Sequence, residues 1–207
     1  KNLLDWVHNV VRHDGSSMSP SSKNAIDMVE LCKEEGRGIN CRMMAQVLNE
    51  CYLAIGIKSR FVTCMPKVYV DDCHVINAVY SETLGKWLWV DPTFNAYVMD
   101  EHGVMLGIGE VRDRLRDGRP LVLCPEANWN NEYTQTKEQS LDSYRTKNLY
   151  YMICPLTSSV DAETKLESGE RSVYIFLVPP GYAAEDSPGF VNKTETNDDN
   201  YFWPPPV

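Results

Sequence analysis

Residues 38–56, GINCRMMAQVLNECYLAIG, carry the pattern from which the fold of this chain can be read. After Cys41 the apolar residues recur at the i, i+3, i+4 and i+7 spacing of one helix face. Asn40 is a residue type that caps helix N-termini, and Gly56 stands where a glycine commonly ends a helix. The pattern predicts a helix of about four turns. Its apolar face would carry Met44, Val47, Leu48, Cys51 and Ile55.

The sequence that follows this helix reads as β-structure. RFVTCM, CHVINAVY and KWLWVDPTF are rich in the β-branched and aromatic residues typical of strands. Residues 82–85 form the expected turn between the last two, which therefore predict a hairpin. A four-residue turn makes His74 oppose Thr93 and lie diagonal to Asp91 on the same sheet face. A three-residue turn without a bulge would put His74 and Asp91 on opposite faces, so the pairing depends on the turn.

The remaining elements are predicted more simply. Further helices are expected at residues 2–11, 23–32, 111–115 and 139–147, and further strands at 149–154 and 172–178. The stretch ANWNNEYTQT, residues 127–136, reads as a long surface loop. Residues 181–207, which end in YFWPPPV, read as an extended, proline-rich C-terminal tail and not as a domain.

Composition excludes several classes of protein. A chain of 207 residues that is 43% hydrophobic and 24% charged can bury a core without disulfides or a structural metal, so overall disorder is excluded. The net charge of −9, without any Lys/Arg-rich run, offers no electrostatic footprint for nucleic acid or an anionic membrane surface. No stretch is apolar enough for a membrane span. We therefore expect no nucleic-acid partner and no membrane span.

The sequence leaves the cellular compartment open. The start, KNLLDWVHNVVRHDG, is amphipathic and has no signal-peptide core. The chain begins at Lys1, so both a cytoplasmic location and export with a targeting segment missing from this chain fit. The cysteines number seven and lie mostly in apolar runs, which favours reduced, buried thiols over a disulfide framework.

Cys41 is the candidate nucleophile. In the first turn of a helix its sulfur faces the positive end of the helix dipole and unpaired backbone N–H groups, which lower a thiol pKa. Such a thiol needs a base, and among the four histidines only His74 opens a strand. His8 and His13 lie on or just after the first helix, and His102 lies in a polar turn. Taken alone, Cys41 and His74 also fit ordinary core positions.

Together with Asp91, these residues predict a Cys-His-Asp triad. Asp91 would orient His74, and His74 would take the thiol proton and later return one to the leaving group. Cys41 would attack an acyl carbon, and its backbone N–H would meet the oxyanion together with a second donor. The candidates for contact with the oxyanion or substrate are Asn40, Arg42 and Trp89.

These residues resemble the core of the transglutaminase-like superfamily. The resemblance rests on Gly38-x-x-Cys41 at a helix start, the phrase Gly56-Ile57-x-x-Arg60, the strand histidine and WLWVDPT at 87–93, and covers residues 38–95. It implies a papain-like α+β fold with a nucleophile helix packed on an antiparallel sheet, and a catalytic domain over residues 1–180. It implies the triad Cys41, His74 and Asp91, no cofactor and no metal. The implied substrate is a protein, peptide or glycopeptide, with hydrolysis the favoured reaction.

Two departures from the family pattern leave details open. Ile76 stands where many members have tryptophan, and no glutamine of the papain-like kind shortly precedes Cys41. The second oxyanion donor and the acyl acceptor are therefore open.

Three alternative interpretations stand beside the hydrolase. One is an acyltransferase resembling arylamine N-acetyltransferases, although their Arg-Gly-Gly-x-Cys approach is not seen here, and another is a non-catalytic binding domain that keeps the fold. The third, a metal site at Asp71, Asp72, Cys73 and His74, is disfavoured because adjacent strand residues point to opposite faces.

Overall fold

The computed structural model describes residues 1–68, 73–164, 172–184 and 192–206. The helices are α1 (Asn2–Val10), α2 (Ala25–Glu35), α3 (Cys41–Ala54), α4 (Ile108–Asp117), α5 (Thr146–Asn148) and α6 (Asp199–Phe202), and a π-helical stretch, Glu138–Arg145, leads into α5. The strands are β1 (Ser59–Met65), β2 (His74–Ser81), β3 (Lys86–Asp91), β4 (Ala96–Met99), β5 (Val122–Leu123), β6 (Asn128–Trp129), β7 (Tyr133–Thr134), β8 (Tyr151–Pro155), β9 (Tyr174–Leu177) and β10 (Lys193–Thr196).

The centre of the fold is an eight-stranded sheet with the order β10-β9-β8-β1-β2-β3-β4-β5. Its neighbouring strands are antiparallel, except that β10 runs parallel to β9. Strands β6 and β7 form a separate hairpin. A large, mostly antiparallel sheet combined with helices confirms the predicted α+β fold.

Helices cover both faces of this sheet. On one face α1, α2 and α3 pack against residues such as Val79 and Val90. On the other face α4, the π-helical stretch and α6 pack against residues such as Ile76 and Trp89. All seven residues of β1 are buried, as expected for a central strand covered on both sides. None of the helices in the described residues is long and apolar enough to cross a membrane.

The predicted nucleophile helix and hairpin are both present. Helix α3 begins at Cys41, and the side chain of Asn40 caps it by accepting a hydrogen bond from the Met43 N–H at 3.1 Å. The chain turns at residues 82–85, so that Asn77 pairs with Val90 and Ala78 with Trp89. This is the register that a four-residue turn requires.

Two segments contain more structure than their composition indicated. Residues 127–136, predicted as a loop, include the β6–β7 hairpin. Residues 181–207, predicted as an extended tail, include β10 and α6, and the Phe202 side chain is fully buried. Strand β10 is polar because it lies at the sheet edge and is largely exposed, so it carries no apolar alternation. The division into a domain over residues 1–180 and a tail over 181–207 stays a prediction.

Candidate active site

Three ends of secondary-structure elements supply the candidate triad. Cys41 is the first residue of α3, His74 is the first residue of β2, and Asp91 is the last residue of β3. The helix packs against β2, and β2 pairs with β3, so the order of the elements in the fold brings the three side chains toward one point. Residues far apart in sequence thereby share one site.

His74 and Asp91 form a buried pair. Nε2 of His74 lies 2.9 Å from Oδ2 of Asp91, and the Asp91 side chain has no exposed surface. The other carboxylate oxygen, Oδ1, accepts a hydrogen bond from the Thr93 N–H at 3.0 Å. A carboxylate can only accept, so the ring proton of His74 resides on Nε2. Nδ1 is then the nitrogen that can act as a base.

The environment of Cys41 favours the thiolate. Burial raises the pKa of its thiol, but hydrogen bonds to His13 and His74, the charge of His74 and a backbone hydrogen bond from Val75 outweigh burial and lower the pKa to about 5. A thiol with this pKa is largely ionised at neutral pH. The resulting thiolate is the form that carries out nucleophilic attack.

Other cysteines show the opposite behaviour. Burial is the main influence on the thiols of Cys32, Cys51, Cys124 and Cys154, and it raises the pKa of each of them. The site around Cys41 therefore distinguishes its thiol from cysteines that are merely packed in the core.

The three candidate contact residues have other partners. The Asn40 side chain caps α3 and also donates a hydrogen bond to the Ser17 carbonyl at 3.2 Å. Trp89 is 1% exposed and packs in the core on the sheet face away from α3. The Arg42 guanidinium forms an ion pair with Glu163 and donates to Thr63 Oγ1 at 2.9 Å. The structure thus gives these three side chains structural roles.

The ion pair of Arg42 is part of a buried polar cluster. The Glu163 carboxylate also accepts hydrogen bonds from Gln46 and Tyr174. Burial raises the pKa of Glu163, but the charge and hydrogen bonds of Arg42 outweigh it and hold the pKa below its ordinary value. Glu163 therefore stays ionised and fixes the guanidinium.

His13 also lies at the candidate site, which no pattern in the sequence indicates. Its side chain hydrogen bonds to the Cys41 thiol, and its backbone forms a parallel β-bridge with Ile39, two residues before Cys41. This bridge joins the segment that follows α1 to the segment that precedes α3, and no spacing in the sequence indicates the contact. The segment that follows α1 therefore lies beside the Cys41 thiol.

The other two histidines, His8 and His102, have different surroundings. His8 is buried, with Nδ1 2.9 Å from the Pro92 carbonyl and Nε2 2.8 Å from Asn128 Oδ1, and so braces the turn that follows Asp91. His102 is exposed in a turn, as predicted. His8 therefore supports the site indirectly.

The alternative metal site consists of Asp71, Asp72, Cys73 and His74. Asp71 and Asp72 lie outside the described residues. Within the residues that the structure describes, no group of three His, Cys, Asp or Glu side chains is arranged to hold a metal ion.

One comparison with known proteins identifies a family for the first part of the chain. Residues 1–92 match the family model described as the transglutaminase-like superfamily. The resemblance inferred from the sequence is thereby confirmed.

A solved structure from Cytophaga hutchinsonii, described provisionally as a cysteine protease, is 23% identical, with a TM-score of 0.36. The match covers 51% of this chain and 34% of that chain, about a third of its length. A comparison with curated proteins gives no match.

Proposed function

We propose that this protein is a cysteine-dependent acyl-transfer enzyme that hydrolyses peptide or amide bonds through Cys41, His74 and Asp91. The observation that carries the proposal is the buried contact of 2.9 Å between His74 Nε2 and Asp91 Oδ2, together with the hydrogen bond of His74 to Cys41, which helps to lower the thiol pKa to about 5. The match of residues 1–92 to the transglutaminase-like superfamily supports a cysteine-dependent enzyme at that coarser level.

The first step joins the enzyme to the acyl group. The Cys41 thiolate attacks the carbonyl carbon, a C–S bond forms, and the electron pair of the C=O double bond moves to the oxygen. His74 has taken the thiol proton on Nδ1 and donates it to the leaving amine as the C–N bond breaks. Asp91 stabilises the imidazolium through its contact with Nε2 at 2.9 Å.

The second step returns the enzyme to its starting state. Water attacks the thioester while His74 Nδ1 takes one of its protons, and the C–S bond then breaks to give a carboxylic acid and the Cys41 thiolate beside protonated His74. An amine in place of water would give transamidation by the same steps. Hydrolysis is proposed because water is the simplest acceptor and needs no binding site for a second substrate.

A labelling experiment tests the nucleophile without knowledge of the substrate. The protein is treated briefly with iodoacetamide near pH 6, where an ordinary thiol is almost wholly protonated, and the labelled peptides are identified by mass spectrometry. We expect selective labelling of Cys41 in the wild type and in His102→Ala, whose histidine is exposed in a turn. His74→Ala is expected to lose this selectivity.

The same experiment separates the alternatives. If Cys41 labels no faster than the other cysteines, the proposal fails and a non-catalytic binding domain becomes the better interpretation. If Cys41 is selective, peptides, glycopeptides and amines are screened as substrates, with an acetyl thioester such as acetyl-CoA included. Turnover of the thioester with an arylamine, and not of peptides, would favour the acetyltransferase interpretation over hydrolysis.

A further inference from the structure

We infer that His13 is the second oxyanion donor of the Cys41 site, and that Trp129 positions it by fixing the tautomer of its ring. This inference rests on the proposed function, because an oxyanion forms only if Cys41 attacks an acyl carbon. It gives a role to two residues that the triad does not use. The chemical group that His13 recognises is the carbonyl oxygen of an amide, ester or thioester.

The backbone holds His13 next to the start of α3. The Asp14 N–H donates to the Ile39 carbonyl at 2.8 Å, and the Ile39 N–H donates to the Arg12 carbonyl at 2.9 Å. Gly38 directly precedes Ile39, and a Cβ added to Gly38 would lie only 2.7 Å from the Arg12 carbonyl oxygen. Glycine therefore allows the close approach that brings His13 beside Cys41.

Trp129 determines which ring nitrogen of His13 carries the proton. The indole Nε1–H donates to His13 Nδ1 at 3.0 Å, and the two rings are in a T-shaped arrangement. An indole nitrogen can donate and cannot accept, so Nδ1 is the acceptor and the proton of the neutral ring resides on Nε2. Since Nδ1 is occupied by Trp129, Nε2–H is the group that His13 can offer to the Cys41 side.

The β6–β7 hairpin holds this arrangement rigid. Asn130 accepts a hydrogen bond from the His13 N–H at 2.8 Å and donates to the His13 carbonyl at 3.0 Å. Asn130 adopts φ 53°, in the left-handed region that asparagine tolerates better than most residues. The Trp129 ring in turn stacks on Tyr133, with 5.8 Å between the ring centroids. The segment with no predicted structure thus orients a single imidazole.

The arrangement suits an oxyanion hole. In the resting enzyme the bridge to Ile39 places His13 beside Cys41, and a hydrogen bond from the His13 ring stabilises the thiolate. When the C–S bond forms, negative charge leaves the sulfur and develops on the former carbonyl oxygen, which lies one bond away from the attacked carbon. The Nε2–H of His13 and the N–H of Cys41 would then both donate to this oxygen, without any proton leaving His13.

Two reactions of the same thiol separate this role from a general effect on the nucleophile. Alkylation by iodoacetamide forms no oxyanion, whereas acylation by p-nitrophenyl acetate passes through one and releases p-nitrophenolate as the acetyl group is transferred to sulfur. Both rate constants are measured as a function of pH and compared at their plateaus, where Cys41 is fully ionised. The comparison removes any change in the thiol pKa caused by the substitution.

We expect His13→Ala to lower the plateau acylation rate by about 100-fold or more, the usual effect of removing one oxyanion donor. The plateau alkylation rate should change little. His13→Gln, which keeps an N–H donor of similar reach, should recover part of the acylation rate. Thermal unfolding of each variant checks that it is folded, and the glutamine variant keeps the test valid if the alanine variant is unstable.

Trp129→Phe tests the positioning role. This variant keeps an aromatic ring but loses the N–H, so His13 can carry its proton on Nδ1 and turn an acceptor toward the oxyanion. Acylation should fall to between the wild-type and His13→Ala values with alkylation unchanged, and the ¹⁵N chemical shifts of the His13 ring should show the change of tautomer. Tyr133→Phe, which keeps the ring stacked on Trp129, should behave as wild type.

The outcomes are distinct. Equal loss of acylation and alkylation in His13→Ala would mean that His13 acts on the nucleophile alone, and unchanged acylation would mean that it plays no part; either overturns the inference. These results leave the proposed function intact, since they concern variants of a reactive enzyme. Failure of the wild-type Cys41 to react with either reagent would instead overturn the proposed function, and the inference with it.

Discussion

Nε2 of His74 lies 2.9 Å from Oδ2 of Asp91, although 17 positions separate the two residues in the sequence. The contact depends on the hairpin register, in which Asn77 pairs with Val90. It also depends on the turn after Asp91, where the Thr93 N–H occupies the second carboxylate oxygen. The pair is therefore built by local hairpin geometry, and α3 brings the thiol to it.

Asp91→Asn tests the orientation of His74. The asparagine oxygen can replace only one of the two carboxylate oxygens, so if it keeps the Thr93 N–H, the amide NH₂ faces His74 Nε2. His74 then carries its proton on Nδ1 and cannot act as the base. We expect the acylation rate with p-nitrophenyl acetate to fall by about 100- to 10,000-fold. Asp117→Asn, at an exposed carboxylate, is the control, and a wild-type rate in Asp91→Asn would contradict the orienting role.

The pH dependence of alkylation tests the electrostatics of Cys41. Deprotonation produces the reactive form, so the rate should rise with pH, reach half its maximum at about pH 5, and stay level through neutral pH. His74→Ala removes a hydrogen bond and a charge that lower the pKa, so its midpoint should move to higher pH. The cysteines whose pKa burial raises, such as Cys51, should react only above about pH 8.5. A wild-type midpoint at that pH would contradict the activated thiol.

The parts of the site that follow from local rules could be predicted from the sequence. The start of α3 is set by the Asn40 cap and the apolar spacing after Cys41. The His74–Asp91 contact is set by strand alternation and the length of one turn. In both cases the decisive residues lie within a single helix or hairpin.

The rest of the site depends on tertiary contacts that leave no periodic signal. His13 reaches Cys41 through a single β-bridge to Ile39, and Trp129 reaches His13 from a hairpin whose strands have two residues each. Arg42 is an oxyanion candidate from its position beside Cys41, but its ion-pair partner Glu163 lies far along the chain. The burial of such residues and the identity of their distant partners cannot be predicted from the spacing of residues in the sequence.

Gly38→Ala tests the close approach of the His13 segment. The added Cβ would lie 2.7 Å from the Arg12 carbonyl oxygen and 2.8 Å from Asp14 Cβ, so the segment must move away from α3. We expect a loss of about 1–3 kcal/mol in the free energy of urea unfolding and a lower plateau acylation rate. Gly15→Ala is the matched control, because its Cβ would meet only His13 Cε1 at 3.7 Å, an ordinary contact. Equal stability of the two variants would show that the approach is not tight.

Arg42→Ala tests whether this residue serves stability or catalysis. The variant leaves the Glu163 carboxylate, which is 7% exposed, without its cation, and should cost about 3–5 kcal/mol of unfolding free energy. Arg12→Ala is the control, since its ion pair with Glu132 is exposed and is worth about 0–1 kcal/mol. The ratio of plateau acylation to alkylation should be unchanged in Arg42→Ala; a selective loss of acylation would make Arg42 the oxyanion donor.

The ion pair between Arg42 and Glu163 should make the stability of the protein depend on pH. The pKa of Glu163 is lowered in the folded protein, so its contribution is complete above the ordinary carboxyl pKa and is lost as pH falls through the lowered value. The difference in unfolding free energy between wild type and Glu163→Gln should therefore shrink as pH is lowered below about 4.5. If the difference in unfolding free energy stays constant across this pH range, the charge of Glu163 does not contribute to stability.

Phe202→Ala tests whether the C-terminal segment is part of the folded core. The Phe202 side chain is fully buried and packs in one cluster with Ile175 and Leu177 of β9, so its removal leaves a cavity beneath the edge of the sheet. We expect a loss of about 3–5 kcal/mol in unfolding free energy, measured with urea. Tyr201→Ala is the matched control, because Tyr201 is 50% exposed and its removal should cost less than about 0.5 kcal/mol.

If both substitutions lower the unfolding free energy equally little, the C-terminal segment does not stabilise the sheet. A protein ending near Gly181 should then retain the selective labelling of Cys41. If Phe202→Ala is costly, that shorter protein should unfold at lower urea concentration, because it loses β10 and α6 together.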